Sequence, residues 1–130
     1  MPAVLPDGSV ACGCSANMRW YQYAAGQRFG KHIDESNEDE TGAHSEYTLL
    51  LYLNGGNTDV QDAENGALSL TGGETVFYKG SYGNGIAAKV APLEGLCIIH
   101  GHGSRCFTHE GAPVISGLKY VLRTDVMYRR

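Results

Sequence analysis

The chain has 130 residues, enough for one domain that buries a core without disulfide or metal staples. Its formal charge of −4 excludes the basic stripe of a nucleic-acid-binding surface, and no apolar run reaches the length of a membrane span. Eighteen glycines and eight tyrosines against four prolines point to many short strands joined by tight turns.

Residues 1–17 show no periodicity and read as an extended N-terminal arm. No basic stretch leads there into an apolar run, so no signal peptide is expected. Residues 18–130 read as the folded domain. Met18–Tyr23 alternates and is rich in aromatics, a strand. A turn at Gly26 leads to a second strand over Phe29–Asp34. The acidic run Glu35–Glu40 is expected to be a solvated loop. Tyr47–Leu53 is apolar enough for a central strand and is stopped by Asn54-Gly55-Gly56. Residues 57–70 are polar and irregular, a long loop over one mouth of the domain. Further strands are predicted at Glu74–Tyr78, Ala87–Val90, Gly95–His100, Phe107–Glu110 and Leu118–Val126, with a turn over 79–85 and a tight connection at Gly101–Ser104. About eight short strands with no ordinary helix make an all-β chain, a double-sheet jelly roll or related barrel whose mouth is a natural metal site.

Cys12, Cys14, Cys97 and Cys106 form neither a Cys-x-x-Cys pair nor a zinc-ribbon pattern. They read as free thiols in a reducing compartment, which makes the chain cytoplasmic. His32 and Asp34 are two residues apart, a spacing that puts both side chains on one face of a strand. With the distant His109 they make up a 2-His-1-carboxylate set, which leaves positions open on a non-haem Fe(II) for a bidentate cosubstrate and O2. His100 and His102 compete for the third place, and with Glu110 they offer a cupin-type alternative. Lys119 is flanked by Leu118, Tyr120, Val121 and Leu122, which predicts a buried strand where an unpaired ammonium is costly.

Taken in order, these residues resemble the catalytic domain of Fe(II)- and 2-oxoglutarate-dependent dioxygenases, specifically the prolyl 4-hydroxylase branch. The likeness runs from about Arg19 to Tyr128. It rests on Tyr23, Phe29 and His32-Ile33-Asp34, on the strand ending Tyr52-Leu53-Asn54, on Gly72-Gly73-Glu74-Thr75-Val76-Phe77, and on His109 followed by Pro113, Val114 and Gly117-Leu118-Lys119. The resemblance implies a double-stranded β-helix with Fe(II) held by His32, Asp34 and His109. It implies that 2-oxoglutarate chelates the iron with its distal carboxylate on Lys119, Arg123 being the fallback cation. Tyr23 and Tyr52 would donate hydrogen bonds to the cosubstrate, Tyr52 from a strand facing Lys119 across the barrel. The implied reaction uses O2, releases succinate and CO2, hydroxylates a C–H bond of a peptidyl or small-molecule substrate, and draws on L-ascorbate to re-reduce the iron. Residues 35–45 and 57–70 would flank the mouth, while Glu110, Thr124 and Asp125 would be structural. Members of this branch usually carry helices that cover the larger sheet. Only the short arm precedes the first strand here, so an exposed outer face is expected. A non-catalytic jelly-roll binding module is the alternative that this shortfall favours.

Overall fold

A computed structural model of the chain describes residues 1–56, 69–80 and 84–130. The predicted loop over 57–70 lies almost entirely outside the described residues, and the turn over 79–85 lies partly outside them. The described chain is mainly β, with one 3-10 turn at Gly103–Arg105 as its only helical element. In chain order the strands are β1 (Val10–Cys14), β2 (Arg19–Tyr23), β3 (Phe29–His32), β4 (His44–Tyr52), β5 (Thr71–Gly72), β6 (Thr75–Tyr78), β7 (Ile86–Val90), β8 (Cys97–Gly101), β9 (His109–Gly111), β10 (Val114–Ser116) and β11 (Lys119–Arg129). Among the described residues no helix is long and apolar enough to cross a membrane.

All pairings are antiparallel. The larger sheet runs β1-β11-β4-β8, with β2 also on β11. Two short strands share one edge of β11: β2 pairs with Lys119–Arg123 and β1 with Val126–Arg129. The other edge pairs with β4 from Val121↔Tyr52 to Tyr128↔His44, through a bulge at Val126/Met127. The smaller sheet runs β3-β9-β6-β7, and β5 with β10 forms a separate two-stranded ribbon.

Period-2 alternation divides each strand of the larger sheet between two faces. Tyr21 and Tyr23 of β2, Lys119, Val121 and Arg123 of β11, and Thr48, Leu50 and Tyr52 of β4 line one cavity on the inner face. The outer face carries the row Trp20, Leu122, Leu51 and Cys97, paired in register.

The N-terminal arm is not simply extended, as the sequence suggested. Its residues 10–14 are β1, and Leu5 packs with Val126 and Tyr128 against Ala11, Tyr47 and Leu49. The Tyr128 hydroxyl donates to the Pro2 carbonyl at 2.6 Å. The Val-Ala-Cys-Gly-Cys run has no alternation to read, and its pairing is supplied by the free edge of β11. The arm therefore covers one end of the outer face. At the other end Trp20 is 69 % exposed, and on the edge strand β8, Ile99 beside Leu49 is 44 % exposed. β10 was also not foreseen, because three residues between Pro113 and Gly117 are too few for a period to register.

Candidate metal centre

His32 closes β3 and His109 opens β9, and the two are a register pair across the smaller sheet with ring centroids 4.2 Å apart. β3 ends at His32, so Asp34 stands just beyond the strand where the sequence placed it within. The alternation nevertheless persists: Ile33 is exposed while Asp34 is buried. Backbone contacts hold Asp34 in place. Its carbonyl accepts the Gly103 N–H at 2.8 Å, and its own N–H points at Cys106 Sγ at 3.4 Å.

The two rings are oriented by their Nδ1 atoms. His32 Nδ1 lies 2.7 Å from the Gly30 carbonyl and His109 Nδ1 2.9 Å from the Phe107 carbonyl. A carbonyl only accepts, so each Nδ1 carries a proton, and in the neutral ring each Nε2 presents its lone pair. Both Nε2 atoms face Asp34, that of His32 at 3.3 Å from Oδ1 and that of His109 at 3.7 Å from Oδ2. One donor atom from each of the three residues lies within 4.8 Å of the others. Two imidazoles and a carboxylate on one side of a cavity suit a divalent non-haem iron and leave its remaining positions open.

Charge at this centre is set by its surroundings. Burial alone would raise the Asp34 carboxyl, but hydrogen bonds from His32 and Thr48 and the nearby Arg123 guanidinium hold it well below the usual range. Burial lowers His109 and favours the neutral ring that a metal needs. Burial also opposes charge on His32, yet its contacts to Asp34 and the Gly30 carbonyl leave it raised.

Lys119 lines the same cavity and is 4 % exposed. Its Nζ lies 5.1 Å from the Tyr23 ring centroid and 5.7 Å from that of Tyr52, and it has no ion-pair partner among the described residues. Burial pushes its ammonium down to about 8, against a weak pull from Glu74. Gly73, at φ +72, permits this approach, since a Cβ there would meet Lys119 Cδ at 3.0 Å. A buried cation with two aromatic walls and no anion is suited to a ligand carboxylate. Tyr52 is not across the cavity from Lys119. It is opposite Val121 on the neighbouring strand, so phenol and ammonium share one sheet face. The Tyr52 hydroxyl bonds to Thr75 Oγ1.

One residue at the centre, Thr48, escaped the sequence reading, and two that it named, His100 and Arg123, stand there in other roles. Thr48 Oγ1 donates to Asp34 Oδ2 at 2.7 Å. His100, on β8 as the strand predicted over Gly95–His100 required, is pushed down to about 4, chiefly by burial; its Nε2 is buried without a hydrogen bond among the described residues, 3.6 Å from Asp34 Oδ2. Arg123 lies at the metal end, 3.5 Å from Asp34 Oδ2, rather than as a substitute for Lys119. Alternation was the available signal: Thr48 is in phase with Tyr52 on β4, and Arg123 with Lys119 on β11.

The cupin-type grouping does not assemble. His102 is turned toward Thr48 and Ser45, Glu110 accepts from the Tyr78 hydroxyl, and neither donor group among the described residues includes them. The second such group, His100, Cys106 and His109, faces His109 Nδ1, which already donates to Phe107.

A family model described as the 2OG-Fe(II) oxygenase superfamily matches residues 18–124. The chain belongs to that superfamily. Among solved structures, this oxygenase-superfamily chain is similar to a Trichoplax adhaerens prolyl hydroxylase solved with a hypoxia inducible factor oxygen degradation domain peptide fragment (TM-score 0.62, 23 % identity, 91 % of this chain and 46 % of that one). It is also similar to a Pseudomonas putida prolyl-4-hydroxylase (TM-score 0.59, 20 % identity, 86 % and 52 %). A third is the viral collagen prolyl hydroxylase of Paramecium Bursaria Chlorella virus-1 (TM-score 0.54, 22 % identity, 88 % and 61 %). These likenesses show a shared prolyl-hydroxylase-like fold, and the oxygenase-superfamily chain spans about half the length of the first two. Comparison with curated proteins finds no match.

Proposed function

We propose that residues 18–130 form the double-stranded β-helix domain of an Fe(II)- and 2-oxoglutarate-dependent dioxygenase that hydroxylates a C–H bond of a peptidyl or small-molecule substrate. The observation that carries this reading is the pairing, in one cavity, of three converging metal donors with a buried lysine that has no ion-pair partner among the described residues. The space around these residues, open mouth included, is about 520 Å³.

His32, Asp34 and His109 hold the iron, with the imidazole Nδ1 protons committed to backbone carbonyls so that both Nε2 atoms stay available. Lys119 neutralises the distal carboxylate of 2-oxoglutarate as a point charge. Tyr23 and Tyr52 wall that end, and the Tyr52 hydroxyl can turn from Thr75 to the cosubstrate. Bound iron and 2-oxoglutarate supply the oxidation: O2 is consumed, and the cosubstrate is decarboxylated to succinate and CO2 as the substrate carbon gains a hydroxyl. L-ascorbate is the expected reductant when turnover uncouples. The chain orients these groups and keeps bulk water from them.

The test is an anaerobic titration with Fe(II) and then 2-oxoglutarate, followed by the visible metal-to-ligand band of the chelate. A band that needs both components and bleaches with O2 as succinate forms is expected. A folded chain that gives no band would instead be a binding module on the same scaffold.

A further inference from the structure

The side chains behind the metal-facing carboxylate form a connected set. Asp34 Oδ2 lies 2.7 Å from Thr48 Oγ1, and Thr48 Oγ1 lies 2.7 Å from His102 Nε2. On the far side of the ring, His102 Nδ1 is 3.3 Å from Ser45 Oγ, which accepts the Asn37 N–H at 2.9 Å. The His102 side chain is wholly buried.

The direction of each proton follows from the two ends. A carboxylate only accepts, so the Thr48 hydroxyl gives its one proton to Asp34. Thr48 Oγ1 can then only accept from the ring, which puts a proton on His102 Nε2. At the other end Ser45 accepts from Asn37 and keeps its own proton for His102 Nδ1. A second path closes the loop. Asp125 Oδ1, buried and without a hydrogen bond among the described residues, lies 3.7 Å from His102 Nε2 and 3.6 Å from Arg123, which in turn reaches Asp34 Oδ2 at 3.5 Å. The negative charge of Asp125 sits on the protonated side of the ring.

On the iron reading above, we infer that His102, acting through Thr48, is a positioning residue that commits Asp34 Oδ2 to the protein and leaves Oδ1 for the metal. Asp34 follows a strand of the smaller sheet, whereas Thr48, Arg123 and Asp125 belong to the larger sheet and His102 follows its edge strand. The relay therefore ties a ligand from one sheet to the other and stops its carboxylate from rotating. Such outer-shell bonds typically change metal affinity by about tenfold to a hundredfold.

Two measurements test it. Long-range proton–nitrogen correlation spectra of the metal-free wild-type chain should show the proton on His102 Nε2, a readout that needs no variant to fold. Anaerobic Fe(II) titration should show affinity about tenfold to a hundredfold weaker in Thr48→Val and His102→Phe, and close to wild type in Thr48→Ser, which restores the hydroxyl. A bare Nε2, or Thr48→Val and His102→Phe binding iron as tightly as wild type does, overturns the relay alone. A folded wild-type chain that binds no Fe(II) overturns the iron reading and this inference with it.

Discussion

The two ends of the cavity treat charge in opposite ways. At the metal end the Asp34 carboxylate has partners on every side: Thr48, His32 and Arg123 stabilise its charge before any ligand arrives. At the other end Lys119 is equally buried, yet two aromatic rings flank it and it has no ion-pair partner among the described residues. A buried charge costs several kcal/mol unless it is paired. The difference teaches that the anionic end is preorganised by the fold, while the cationic end is held in a costly state that a bound carboxylate would relieve.

The largest effect should come from removing the anion. Asp34→Ala leaves two imidazoles, which hold Fe(II) poorly, and iron should be nearly absent from the purified variant. Stoichiometric iron there would end the facial-triad assignment. Removing the cation should split the two ends. Lys119→Ala should bind iron normally while needing roughly tenfold to a hundredfold more 2-oxoglutarate, the equivalent of about 1.5–3 kcal/mol for a charged hydrogen bond. An unchanged cosubstrate requirement would remove Lys119 from that role.

Lys119 also predicts a pH dependence for the ligand-free chain. Its folded value of about 8 lies below the ordinary 10.5, so the unfolded chain binds more protons in between. The penalty of the buried ammonium is full below about pH 8 and is relieved as the pH rises toward 10.5. Chemical denaturation should show stability gained over that window in wild type and not in Lys119→Met. Equal slopes for the two would mean that the ammonium already has an anionic partner.

The smallest effect belongs to His100, whose Nε2 is buried without a hydrogen-bond partner among the described residues. His100→Phe keeps the ring and its contacts with Phe77 and His109. It should leave iron affinity within about twofold and raise stability by about 1 kcal/mol, the lower end of the cost of an unsatisfied buried group. Loss of iron from that variant would bring His100 into the ligand set.

Much of this contrast was legible before folding was considered. His32 and Asp34 could be placed on one face because side chains alternate with a fixed period, and Lys119 could be called buried because its neighbours are apolar. The same alternation carried Thr48, but its identity as a site residue was hidden, since a threonine on a strand has many ordinary uses, and Arg123 was legible only as a substitute for Lys119. The arm was misjudged because Val10–Cys14 becomes a strand only when β11 offers it an edge.

The sequence by itself determined the β character, the strand carrying His32, the later His109 and the lysine that follows it, because these depend on residue type and on spacing within a single strand. Only the tertiary structure decided that Tyr52 stands beside Lys119 rather than opposite it, that Arg123 serves the metal end, and that His102 points away from the metal toward Thr48. Those outcomes depend on which strands become neighbours. Pairing between segments far apart in the chain is chosen by how all the faces close around one cavity, and no local pattern records it.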